Sequence, residues 1–99
     1  MELSAKQKAY LRGLAHSLNP VVFVGKEGAS EAVVRKVHLE LLAHELVKVR
    51  VGEGAEEGMA AIATTLAEGC TAILVQRIGH VIVLYRKRKK KPDIVLPNA

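Results

Sequence analysis

Apolar positions along this chain switch between helical and strand spacing, and the switches mark out the elements. Leu11, Leu14, Ala15 and Leu18 recur at helical intervals. Ahead of them Ser4 stands three residues before Gln7, a capping-box pattern, with Leu3 preceding it. The spacing predicts a helix over about Ser4–Ser17, ended by Asn19-Pro20 because the residue before proline avoids the α region. Val21–Val24 reads as a short strand, apolar on both faces, either buried on both sides or an edge strand partly covered by a helix. It stops at Gly25-Lys26-Glu27-Gly28. Ser30 is then a fair N-cap, and Val33, Val34, Val37, Leu41 and His44 share one helical face, predicting a second helix over about Glu31–Ala43. His44, on that face, reads as a hydrogen-bonded core histidine rather than a ligand.

Leu46–Val51 alternates, with Val47, Val49 and Val51 inward and Lys48 and Arg50 outward, as in a sheet with one open face. Gly52-Glu53-Gly54 turns the chain. Met59, Ile62, Ala63 and Leu66 mark a third helix, with Gly69 as its C′ residue. Thr71–Ile78 and Val81–Arg86 form two strands joined by Gly79-His80, a two-residue turn with glycine first. That turn pairs Ile78 with Val81, Gln76 with Val83 and Leu74 with Tyr85. The other face then holds Ile73, Val75, Ile82 and Leu84. We read that second face as core because Gln76 sits mid-strand on the first; the opposite parity remains open. The order is α-β-α-β-α-β-β, and its two β-α-β units put the second and third helices on one side of the sheet.

Composition narrows the class. Ninety-nine residues make one domain, and with one Phe, two Tyr and no Trp the core must be aliphatic. Cys70 is alone, so no internal disulfide forms, which fits a reducing compartment. No signal peptide and no run of ~18 apolar residues is visible, so the expectation is a soluble, cytoplasmic protein with no membrane partner. The net charge is +5. From Val51 to Gln76 there is no Lys or Arg and there are four acids, Glu53, Glu56, Glu57 and Glu68; this segment is −4, which leaves +9 on the remainder. Such a basic part suits a polyanion. Arg86-Lys87-Arg88-Lys89-Lys90-Lys91 is a run of six cations closed by Pro92 and reads as solvated and mobile, while Ile94-Val95-Leu96 could dock back.

Candidate chemistry is mostly excluded. Gly52-Glu53-Gly54-Ala55-Glu56-Glu57-Gly58 follows a strand and opens a helix, but its third glycine is one residue late and three glutamates would face a pyrophosphate. Gly25-Lys26-Glu27 lacks both the upstream glycine and the Ser/Thr of a Walker motif. His44-Glu45 is not completed by a second histidine, since Lys48 stands there. His16, His38, His44 and Cys70 have no metal-ligand spacing. We therefore expect no catalytic group, no metal, no cofactor and no small-molecule substrate. What remains is the Gly25–Gly28 turn: glycine lets a ligand approach the backbone, the helix behind it offers free N–H groups, and Lys26 adds a cation. The stripe of Lys8 and Arg12, then Arg35 and Lys36, and the tail extend the basic surface. Tyr85 is the aromatic candidate for stacking on a base, against ordinary sheet packing.

Five stretches carry a resemblance: Leu3-Ser4-x-Lys6-Gln7-Lys8, Leu11-x-Gly13-Leu14-Ala15-His16, Pro20-Val21-Val22 running into Gly25-Lys26-Glu27-Gly28, His44-Glu45-Leu46-Val47-Lys48-Val49, and Ile78-Gly79 with Val83-Leu84-Tyr85-Arg86. In this order the chain resembles the CRM domain, the chloroplast RNA splicing and ribosome maturation module, most closely its bacterial stand-alone YhbY-type form. The resemblance implies an α/β two-layer sandwich with a mixed four-stranded sheet, similar to the C-terminal domain of translation initiation factor three. It also implies RNA binding through the glycine-x-x-glycine loop, here Gly25, Lys26, Glu27 and Gly28, and a role with the precursor of the large ribosomal subunit. Glu27 is a departure, since an acid in the loop weakens phosphate contact; the cationic tail would offset it. The expectation is thus an RNA-binding domain over residues 1–86 with a basic tail over 87–99. Its RNA site comprises the four loop residues with Lys8, Arg12, Arg35, Lys36, Tyr85, Arg86, Lys87, Arg88, Lys89 and Lys90, and its partner is large-subunit ribosomal RNA or a precursor particle. The alternatives are a protein-interaction module using the open sheet face, or a polybasic tail held at anionic membrane; the oligomeric state is left open.

Overall fold

The computed structural model describes residues 2–99. Its elements are α1 (Ala5–His16), β1 (Val22–Val24), α2 (Glu31–His44), β2 (Leu46–Val51), α3 (Met59–Gly69), β3 (Ile73–Ile78) and β4 (Val81–Tyr85). The capping box at α1 forms as expected: Ser4 Oγ accepts from the Gln7 N–H at 3.1 Å and Gln7 Oε1 accepts from the Ser4 N–H at 3.0 Å. Ser30 caps α2 through the Val33 N–H. Gly69 has a different role from the one its position suggests. It lies inside the last turn of α3, the C-cap is Cys70, and the left-handed residue is Thr71 (φ 52°). A Cβ at Gly69 would sit 2.9 Å from Val34 Cγ1, so this glycine lets α3 approach α2.

The four strands form one mixed sheet in the order β1-β2-β4-β3. β1 runs parallel to β2, and β4 is antiparallel to both β2 and β3. On one face Val37 and Leu41 of α2 and Ile62, Ala63 and Leu66 of α3 pack on Val22, Val24, Val47, Val49, Val51, Ile82 and Leu84. This is the α/β sandwich expected, with Ile82 and Leu84 in the main core. The opposite face is not left open. Leu11 and Ala15 of α1, joined by Leu3, Ile94 and Leu96, pack on Leu46, Val75, Val83 and Tyr85. α1 and the C-terminal segment therefore add a partial third layer. The hairpin register holds for Ile78–Val81 and Gln76–Val83 but not for Leu74–Tyr85. A bulge between Leu74 and Gln76 pairs Leu74 with Leu84 and Ile73 with Tyr85. One extra residue shifts the parity, so Ile73 and Val75 join the α1 layer.

The tail, expected to be mobile over its cationic run, is fastened at Arg88. The buried Glu45 is at the C-cap of α2 with φ 64°. Its carboxylate accepts the backbone N–H groups of Arg88 (2.8 Å), Asp93 (2.7 Å) and Ile94 (2.9 Å). The Arg88 guanidinium donates to the carbonyls of Leu42, Ala43 and Lys91 and pairs with Asp93 Oδ2 at 2.7 Å. His44, expected in the core, is instead exposed and faces Glu40 across one turn at 3.5 Å. Glu45, the next residue, takes the inward place.

Candidate functional site

Strand directions sort the candidate residues to two ends of the sheet. β1 and β2 finish at the same end, where Val24 pairs with Val51. β4 starts there and β3 finishes there, since Val81 pairs with both Arg50 and Ile78. The Gly25–Gly28 loop, the 52–58 connection and the Gly79-His80 turn thus cluster at one end. Gly52 N–H donates to Val24 O at 2.8 Å and Val51 N–H to His80 O at 2.7 Å. Gly28 N–H closes the loop onto Gly25 O at 3.0 Å, and Gly28 takes φ 71°, a conformation that favours glycine. Gly25, Lys26 and Glu27 are exposed.

Gly28 is buried, and what covers it is a carboxylate. Glu57 Oε1 accepts the Ala29 N–H at 3.0 Å, and a Cβ on Gly28 would run into that same oxygen. The N–H behind the loop is therefore a working anion seat, filled here by the acidic segment's own side chain. Sequence reasoning missed this use of Glu57. Its only signal was the placement of three glutamates, Glu53, Glu56 and Glu57, in the connection beside the loop.

The sheet separates the other cations. Lys8 and Arg12 lie on α1, on one face; Arg35 and Lys36 lie exposed on α2, on the other. The tail leaves from the far end, where Tyr85 pairs with Leu46 and Ile73 and Arg86 N–H donates to Glu45 O at 2.9 Å. About 15 Å of strand lies between, so Lys87, Lys89 and Lys90, though exposed, do not offset Glu27 locally. Tyr85 is fully buried beneath α1 and the tail, with its hydroxyl unpartnered, and cannot stack on a base. Burial, then the nearby Glu45 charge, push its phenol above the usual range. Arg86 is also engaged inside the fold. Its guanidinium donates to Cys70 O at 2.6 Å and His38 O at 3.2 Å and lies 3.0 Å from His38 Nδ1. Arg86 and Arg88 are thus fasteners for the segment rather than free phosphate ligands.

Val21–Val24 reads as apolar on both sides, a pattern that gives Phe23 no distinct role. Only Val22 and Val24 are buried; Phe23 between them is 66% exposed. Among the described residues there is no group of three or more His, Cys, Asp or Glu that could hold a metal ion, and no helix is long and apolar enough to cross a membrane.

Comparison with known proteins agrees with this fold. The chain is 45% identical over 96 residues to an RNA-binding protein of Haemophilus influenzae, covering 97% of this chain and 96% of that one. It is 41% identical over 95 residues to "Probable RNA-binding protein YqeI" of Bacillus subtilis, covering 96% and 99%. The solution structure of the hypothetical protein SAV1595 from Staphylococcus aureus superposes with a TM-score of 0.82 at 40% identity, over 97% of this chain and all of that one. The model of the CRS1/YhbY (CRM) domain matches residues 3–86. With that match spanning all three helices and all four strands, this chain belongs to the CRS1/YhbY (CRM) domain family.

Proposed function

We propose that this protein binds RNA through its phosphate backbone, with the Gly25–Gly28 end of the sheet as the primary contact, and that it assists assembly of the large ribosomal subunit in the cytoplasm without catalysing a reaction. The relatives named as RNA-binding proteins support the first part. The observation that carries the site is the Ala29 N–H, which already holds an anionic oxygen at 3.0 Å. A phosphate oxygen suits the same donor, flanked by the exposed Lys26. Glu57 is itself exposed, so a phosphate that takes its place on the Ala29 N–H returns the carboxylate to water. Binding then exchanges an internal carboxylate for an external phosphate.

The test is RNA affinity as a function of salt. Each phosphate neutralised contributes about −0.7 to −0.9 to the slope of log K against log salt. Lys26→Ala should weaken binding and flatten that slope by under about one unit; an unchanged slope removes Lys26 from the site. Glu57→Gln should tighten binding several-fold, since the competing anion is gone, and no gain would mean that phosphate does not use this seat. For the ribosomal role, sedimentation of extract at two salt concentrations should find the chain with free large subunits or their precursors. The exposed Phe23 and Ile78 on the sheet support a second reading, a protein-interaction module. Partner binding that survives high salt, without RNA affinity, would favour it.

A further inference from the structure

Strand register puts Phe23, Arg50, Val81 and Ile78 side by side in one row across all four strands. Phe23 and Arg50 alternate with the buried Val22, Val24, Val49 and Val51, so the row lies on the α1 face. α1 does not reach this end: Phe23 is 66% and Ile78 62% exposed, and Arg50 is exposed. Neighbouring strands are about 4.8 Å apart, so Phe23 and Arg50 project from the same face of adjacent strands as direct neighbours. The adjoining cleft between α1 and the sheet is lined by Arg12, His16 and Lys48 and by no carboxylate. One residue beyond Phe23, Val24 leads into the Gly25 loop.

We propose that Phe23 and Arg50 form a stacking platform for one unpaired base of single-stranded RNA, with the neighbouring phosphate held by Arg12 and by the remaining N–H donors of Lys48, whose Nζ also donates to Leu18 O at 3.1 Å. The platform presupposes that the chain binds RNA, and it supplies what the glycine loop lacks. Backbone contacts hold phosphate without regard to the base, whereas an exposed aromatic beside a guanidinium selects a base free to leave its helix. An aromatic ring on solvent, beside a cleft whose charged lining residues are Arg12 and Lys48, complements a strand that is flat and apolar on its bases and anionic on its backbone. Continuity with the loop lets one strand engage both.

The chain contains no tryptophan, so Phe23→Trp installs a single indole reporter. Titration with a 12-nucleotide uridylate RNA should quench it saturably, and an abasic ribose–phosphate oligomer of equal length should not. Phe23→Ala should lower affinity for the RNA about tenfold or more with the salt slope unchanged, because no phosphate contact is lost. Phe23→Tyr should retain wild-type affinity. Arg50→Ala should lower both affinity and slope, the latter by about one unit or less. Unmoved fluorescence, or wild-type affinity in Phe23→Ala, while RNA still binds overturns the platform and leaves the RNA-binding reading standing. Absence of any RNA binding by the wild-type chain overturns both. Self-association that Phe23→Ala abolishes, without quenching by RNA, assigns the patch to a second copy and likewise overturns the proposal.

Discussion

Glu45 shows how one side chain decides the fate of a segment. Burial alone would raise its pKa, but three backbone N–H groups and the Arg88 charge outweigh burial and hold the carboxyl below the usual range. A carboxylate depressed in the folded state stabilises that state at pH values above its unfolded pKa, about 4.3. The stabilisation fades as pH falls through the lower, folded value. The amide resonances of Arg88, Asp93 and Ile94 should therefore titrate together, with a midpoint below that of an ordinary glutamate. Glu45→Gln replaces a group that accepts at both oxygens with one that accepts at a single oxygen. It should cost about 2 kcal/mol, read from urea unfolding. Gly28 is a second such position. Gly28→Ala must bear φ 71° and push Glu57 aside, so we expect a loss of roughly 1–2 kcal/mol together with an exposed Ala29 N–H, visible as faster hydrogen exchange. Glu57 and Glu45 were not legible in the sequence for a common reason. Each carboxylate satisfies backbone N–H groups from a segment distant in the chain, and no periodicity encodes that pairing.

Among the elements, α2 and α3 meet through Gly69 and the stiff side chain of Val34. Gly69→Ala gains helix propensity of about 1 kcal/mol but overpacks the contact at a cost of about 1–3 kcal/mol. It should lower thermal stability in the native background and raise it when combined with Val34→Ala, where the space is available. The helices and β2 could be read from spacing because their apolar stripes face one layer and their caps are local: Ser4 with Gln7, and Ser30 with Val33. β3 could not. Its alternation is broken at Val75, and strict period-two reading from the turn carries the error to Leu74 and Tyr85. That reading puts Tyr85 on its actual face but in solvent, whereas α1 with Ile94 and Leu96 covers it.

At the scale of the molecule, the cations are dispersed over both ends and both faces of the sheet rather than pooled in one patch. The loop and Arg50 mark one end of the sheet and the exposed tail lysines leave from the other. Sites this far apart act independently, so Lys26→Ala and a combined Lys87, Lys89 and Lys90 change to alanine should add in their effects on RNA affinity. Strong coupling between them would mean one shared contact. Charge counting could reveal the excess but not this partition, because strand direction determines which end a residue occupies. The extra residue in β3 has a further consequence. β3 borders the sheet on one side and three-residue β1 on the other, so unpaired backbone groups line both margins. An interrupted outer ladder and a very short one are poor templates for a neighbouring molecule's strand. Deleting Val75 would straighten that margin, and the shortened chain should convert more readily into fibrils that bind amyloid dyes.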